Sequence, residues 1–127
     1  MITKTATATA LIVEDVQTDL MILTSYLENL GWRVISAVNG EEALTYLSAN
    51  TPDIVFLDVV LPGRSGFEIC RTIKSQTDTQ KIPVVMCSTK NTDMDRFWGL
   101  KQGADLYLTK PVNRHDFVDI LQKLVNK

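Results

Sequence analysis

The chain has 127 residues, a net charge of -2 and a pI near 5.3, with 45% apolar and 22% charged residues. That length and balance suit one globular domain with a full core and exclude a disordered chain. They also leave no basic surplus for non-specific nucleic-acid binding, and no apolar run is long enough to span a membrane.

Residues 1–8 lack the apolar centre of a signal peptide and read as a flexible tail on a single domain covering 1–127. The first apolar run, ALIV at 10–13, predicts a strand that ends at Glu14 and Asp15. Leu20, Leu23, Leu27 and Leu30 then recur at helical spacing, with Gly31 as the stop. VISAV at 34–38 predicts a second strand, and Asn39 with Glu42 starts a helix carrying Ala43, Leu44 and Leu47. Trp32 is placed against the start of that strand. IVFL at 54–57 has the unbroken apolar character of a strand buried on both faces, and it runs straight into Asp58. SGFE at 65–68 is a capping box opening a helix with Ile69 and Ile73. VVMC at 84–87 is the fourth strand, followed by Ser88. Thr92 and Asp95 cap a fourth helix carrying Met94, Phe97 and Leu100 and ending near Gly103. Of the adjacent Phe97 and Trp98, one is expected in the core. LYL at 106–108 is the fifth strand, followed by Lys110 and Pro111, and Asn113 precedes a last helix with Phe117, Ile120, Leu121 and Leu124. His115, the single histidine, reads as a surface residue, and Cys70 and Cys87 as inert core thiols in a reducing compartment.

Five strand-then-helix units predict an α/β fold, an open doubly wound five-stranded parallel sheet with helices on both faces. Ligands in such sheets bind beyond the carboxyl ends of the strands, where strand order reverses. With order 2-1-3-4-5, strands 1 and 3 are central neighbours. Glu14, Asp15 and Asp58 then share one cleft, flanked by Ser88 and Lys110. Two carboxylates about 5 Å apart at an effective dielectric near 20 repel by roughly 3 kcal/mol. A divalent cation relieves this, and an all-oxygen donor set points to Mg²⁺. A carboxylate nucleophile, a metal, a lysine and a hydroxyl donor are the parts needed for phosphoryl transfer.

Four motifs in order, LIVED (11–15), LDVVLPGRSG (57–66), PVVMCST (83–89) and YLTKP (107–111), resemble the CheY-like (flavodoxin-like) receiver domain of two-component response regulators over nearly the whole chain. GFEICRTIK, IPVVMCSTK and DRFWGLKQGADLYLTKPV look like the stand-alone PilH-type and PixH-type regulators of pilus motility and phototaxis. The resemblance implies that Asp58 accepts a phosphoryl group from a sensor histidine kinase. Asp15, Glu14, Asp58 and the backbone carbonyl of Val60 would hold Mg²⁺. Ser88 and Lys110 would contact the phosphoryl oxygens, with the Lys110–Pro111 bond cis. Ser88 and Tyr107 would act as the switch, Tyr107 turning inward and re-forming the face of helix 4, strand 5 and helix 5 for a downstream protein target. The implied protein is cytoplasmic, a monomer or weak dimer, and not an enzyme beyond its own phosphorylation and dephosphorylation. It inserts into no membrane and binds no nucleic acid directly.

Some positions depart from the family pattern. Glu14 stands where many relatives have Asp, and Thr89 where a small residue is common. Val112 follows Pro111 where an aromatic is common. Val60 and Lys90 occupy the positions that tune hydrolysis, and Val60 cannot orient an attacking water, which implies a long-lived acyl phosphate. Each site residue also has a plain reading: Asp58 as a turn former, Glu14 and Asp15 as caps of helix 1, Ser88 as a loop hydroxyl, Lys110 as a solvated lysine. Four motifs converging on one cleft favour the functional reading. A phosphorylation-independent receiver-like binding module remains the alternative. A flavodoxin-like carrier fits poorly because the loop after the first strand, EDVQTD, is acidic and lacks glycine. An aspartyl phosphatase would need an acid where Val60 stands.

Overall fold

Alternation along the strands sorts the core into two layers. In the computed structural model, which describes residues 7–125, β1 (Thr9–Val13) sends Leu11 and Val13 to one side of the sheet and Ala10 and Ile12 to the other. The sequence expectation of a flexible tail over 1–8 falls, for residues 1–6, outside the described residues. β2 (Arg33–Ala37), β3 (Ile54–Leu57), β4 (Val84–Ser88) and β5 (Leu106–Thr109) complete a parallel sheet of order β2-β1-β3-β4-β5. The expected strand order is therefore the observed one.

On one face, α2 (Gly40–Leu47) and α3 (Gly66–Ser75) pack Ala43, Leu47, Ile69 and Ile73 against Leu11, Val55, Leu57 and Met86. On the other, α1 (Gln17–Asn29) and α5 (Arg114–Val125) pack Leu20, Leu23, Leu27, Phe117 and Leu121 against Ile12, Phe56 and Val85. Phe117 stacks on Phe56, with ring centroids 4.9 Å apart, and tilts against Tyr26 at 5.3 Å. Trp32 is half-buried against this second layer, as expected.

The predicted caps form. Asn39 accepts from the Glu42 N–H, and Ser65 with Glu68 makes a reciprocal capping box. Thr92 and Asp95 make another at the start of α4 (Asp93–Lys101). Cys70 and Cys87 are buried and unpaired, and burial pushes their thiols up to about 11 and about 12. His115 is exposed.

Two sequence expectations fail. Leu30 caps α1 but lies outside the core, because the helix ends at Asn29 and the chain turns away through Leu30 and the positive-φ Gly31. The other failure concerns α4. Met94, Phe97, Trp98 and Leu100 are all exposed, and the helix buries only Gly99. Neither Phe97 nor Trp98 is a core residue. The reason is steric: Gly99 is the contact point with the sheet, and a Cβ there would meet the Tyr107 ring at 2.9 Å and the Met86 sulfur at 3.2 Å. A helix that touches the sheet through a glycine turns its bulky residues elsewhere.

Candidate functional site

Three strand ends converge beyond the carboxyl edge of the sheet. The ladder runs on past β1 and β3. The Glu14 N–H donates to the Ala37 carbonyl at 2.9 Å, and the Asp58 N–H donates to the Val13 carbonyl at 3.1 Å. These bonds carry β1 one residue further along β2, to Glu14, and place Asp58 beside the end of β1. Glu14 and Asp58 are buried at 2% and 6% exposure, while Asp15 is exposed. One carboxylate oxygen from each of Glu14, Asp15 and Asp58 lies within 4.8 Å of the others. The sequence placed these three acids in one cleft, and the structure does bring them together.

Lys110 enters from β5. Its N–H donates to the Ser88 carbonyl at 2.9 Å, and the Lys110–Pro111 bond is cis, as expected. Beyond it, the Tyr26 hydroxyl donates to the Val112 carbonyl at 2.8 Å and ties this turn to α1. The ammonium donates to Glu14 Oε1 at 2.6 Å and to Asp19 Oδ2 at 2.9 Å, and stands 3.4 Å from Asp58 Oδ2. Asp58 Oδ1 accepts from the Val60 N–H at 3.3 Å, and Glu14 Oε2 from the Val16 N–H at 3.2 Å. The Val60 side chain points to solvent.

Asp19 is the residue that the sequence reading passed over. A signal was available: it lies four residues after Asp15, about one helical turn on, in the first turn of α1.

Ser88 is buried at the end of β4, and its hydroxyl accepts from the Lys90 N–H at 3.2 Å. Thr89 and Lys90 are exposed at the rim. Tyr107, expected to turn inward on activation, already lies inward here. Its ring is buried and its hydroxyl donates to the Lys90 carbonyl at 2.6 Å, with the Arg96 guanidinium 5.7 Å over the ring. Burial raises its pKa above the ordinary phenol value.

The charges in the cleft are unevenly matched. Burial raises the Glu14 carboxyl above its ordinary value; Lys110 opposes that rise and Asp58 adds to it. Burial alone would lower Lys110, but its hydrogen bonds to Glu14 and Asp19 outweigh this and hold it protonated well above its ordinary value. The donor set is hard oxygen, converges within a few ångströms and carries excess negative charge, which fits Mg²⁺. A carboxylate must be ionised to bind a metal. Mg²⁺ affinity is therefore expected to rise as pH climbs above 4.5, the ordinary value for Glu14, and to level off once Glu14 is ionised. A Glu14→Gln variant should lose that part of the pH dependence. A fluorescence titration with Mg²⁺ at several pH values checks this, and an unchanged profile in the variant would mean that Glu14 takes no part in holding the ion.

Among the described residues, no helix is long and apolar enough to cross a membrane. A family model described as the response regulator receiver domain matches residues 10–122. The chain is 39% identical to Protein PilH of Pseudomonas aeruginosa over 119 residues, 94% of this chain and 95% of that protein. Among solved structures it superposes on the receiver domain of the sensor histidine kinase PA1611 from Pseudomonas aeruginosa with a TM-score of 0.89 at 27% identity, over 96% of this chain and 100% of that one. That structure holds a magnesium ion coordinated in its active site cleft. The chemotaxis response regulator CheY4 of Vibrio cholerae superposes with a TM-score of 0.87 at 27% identity, over 94% of this chain and 99% of that one.

Proposed function

The chain belongs to the response regulator receiver domain family, and on that premise we propose that Asp58 is its phosphoacceptor, in a cytoplasmic phosphorelay. The observation that carries this is the setting of Asp58. It is a nearly buried carboxylate at a central strand end, 3.4 Å from the Lys110 ammonium and clustered with Glu14 and Asp15. A purely structural carboxylate does not need two further acids beside it.

In this reading an Asp58 oxygen attacks the phosphorus of a kinase phosphohistidine in line. The P–N bond breaks with its electron pair going to the imidazole, which leaves neutral because its other ring nitrogen already carries a proton, and an acyl phosphate remains. Glu14, Asp15, Asp58 and the Val60 carbonyl would hold Mg²⁺, which would supply charge neutralisation and orientation of the phosphoryl oxygens. The Val60 N–H steadies Asp58 through Oδ1, leaving Oδ2 on the Lys110 side. Lys110 brings a fixed positive charge to the phosphoryl group, and the Ser88 hydroxyl can leave the Lys90 N–H to donate to it. Tyr107 links that rearrangement to α4 and β5, because its hydroxyl sits on the Lys90 carbonyl.

Downstream, the reading has a protein target on the face of α4, β5 and α5, where Met94, Phe97, Trp98 and Leu100 lie exposed. The resemblance of its motifs to the PilH-type and PixH-type regulators points to a role in pilus motility or phototaxis, and the 39% identity to Protein PilH over 94% of the chain is in keeping with the first of these. The chain acts as a single receiver domain, a monomer or weak dimer, and as a signalling protein whose only chemistry is its own phosphorylation and dephosphorylation.

The test is to titrate beryllofluoride, a phosphoryl mimic, and follow Trp98 and Trp32 fluorescence. A saturable change that requires Mg²⁺ supports the reading. Absence of binding, by calorimetry as well, leaves a phosphorylation-independent binding module instead.

A further inference from the structure

Lys110 is engaged from outside the acidic cleft as well as from within it. Its ammonium has three protons to give. Glu14 takes one at 2.6 Å and Asp19 a second at 2.9 Å, while Asp58 Oδ2 stands farther off at 3.4 Å. The lysine side chain is only 9% exposed, so water offers it little alternative, whereas Asp19 is 32% exposed at the rim. Both ends of the Asp19–Lys110 contact are anchored. Asp19 belongs to the first turn of α1, whose Leu20 and Leu23 are in the core. The turn after Lys110 is tied to the same helix by the Tyr26–Val112 hydrogen bond. The contact is thus imposed by packing and is not a chance surface pairing.

We propose that Asp19 is a positioning residue that holds the Lys110 ammonium on the α1 side of the cleft, so that Asp58 and any phosphoryl group on it must compete with Asp19 for that charge. This rests on the reading of Asp58 as phosphoacceptor. Asp19 weakens the site's hold on a phosphoryl group, because the lysine leaves one anion as it moves to another. Its own charge is half-solvated, so the effect is modest, on the order of a two- to fivefold change in affinity.

The experiment titrates beryllofluoride with Mg²⁺ into the wild type, Asp19→Asn and Asp19→Glu, and into Lys110→Met with and without Asp19→Asn. Asp19→Asn is expected to bind about two- to fivefold more tightly, and Asp19→Glu, which keeps the charge, to return toward the wild-type affinity. In the Lys110→Met background the Asp19 change is expected to have no effect, the signature of action through the lysine. In metal-free protein, the nitrogen resonance of the Lys110 ammonium is expected to shift in Asp19→Asn. Unchanged or weaker binding by Asp19→Asn overturns the proposal. So does an equal gain without Lys110, which would make Asp19 only a repulsive charge. Should Lys110→Met fold poorly, the metal-free resonance decides, and no shift overturns the proposal. A wild type that binds no beryllofluoride removes the phosphoacceptor reading and this inference with it. A wild type that binds, with an indifferent Asp19→Asn, removes this inference alone.

Discussion

The Asp58→Asn variant is expected to take up no phosphoryl label from a phosphohistidine donor, and yet to be at least as heat-stable as the wild type in metal-free solution. The first half follows from chemistry. An amide oxygen carries no full charge and does not form an acyl phosphate, and Asn fills the same volume. Its carbonyl can still accept from the Val60 N–H that now meets Asp58 Oδ1, so the loop keeps its shape. The second half follows from charge. Asp58 shares the cleft with Glu14 and Asp15, with one oxygen of each inside a 4.8 Å cluster. Each such pair repels by roughly 3 kcal/mol at an effective dielectric near 20, while the single Lys110 contact returns roughly 5 kcal/mol. Removing two repulsions and one attraction leaves a gain of about 1 kcal/mol, which is a rise of about 3 °C in Tm. Label incorporation and thermal melting in chelator check both halves. Label retained by the variant would move the acceptor elsewhere, with exposed Asp15 as the first suspect. A large loss of stability would make Asp58 chiefly a structural partner of Lys110.

The parts of this site that could be read from sequence are those fixed by strand ends. A strand has one carboxyl end, so Asp15 after ALIV, Asp58 after IVFL and Lys110 after LYL could be placed in a common cleft once the strand order was known. Asp19 and α4 were not legible in the same way. Asp19 sits on a helix, and whether a helical acid looks into a cleft or into water depends on the rotation of that helix, which Leu20, Leu23 and Leu27 set through packing. For α4, the spacing of Met94, Phe97 and Leu100 matches a buried stripe. What decides the outcome is Gly99 against the Tyr107 ring, a contact between elements that no local period encodes. The inward position of Tyr107 was missed for the same reason: its acceptor is the Lys90 carbonyl, seventeen residues away and on another loop. Local chemistry and strand ends were visible in the chain, and the facing of helices was not.

Gly66→Ala is expected to be the most damaging single-methyl change in the chain, costing about 3 kcal/mol of stability and loosening the site at the same time. Gly66 opens α3, and its N–H donates to the Val59 carbonyl at 2.8 Å. A Cβ at this position would fall far inside van der Waals distance of the Asp58 carbonyl oxygen, and 2.8 Å from both the Asp58 carbonyl carbon and the Val59 Cα. These are backbone atoms, so no side chain can swing aside. Either α3 backs away from the sheet, or the 58–65 loop shifts and takes the Asp58 carboxylate with it. Gly63 in the same loop makes a control. It has φ of 76° but nothing within 4 Å of a Cβ, so Gly63→Ala costs only the backbone strain, about 1 kcal/mol. Chemical denaturation of the two variants measures the difference, and Mg²⁺ titration of each reads the site. Gly66→Ala should lose Mg²⁺ affinity along with stability, because the same displaced backbone carries Asp58 and Val60, whereas Gly63→Ala should bind as the wild type does. Equal costs at the two glycines would mean that the close approach of α3 to the Asp58 carbonyl relaxes without strain, and that the turn alone, not the packing behind it, holds Asp58 in place.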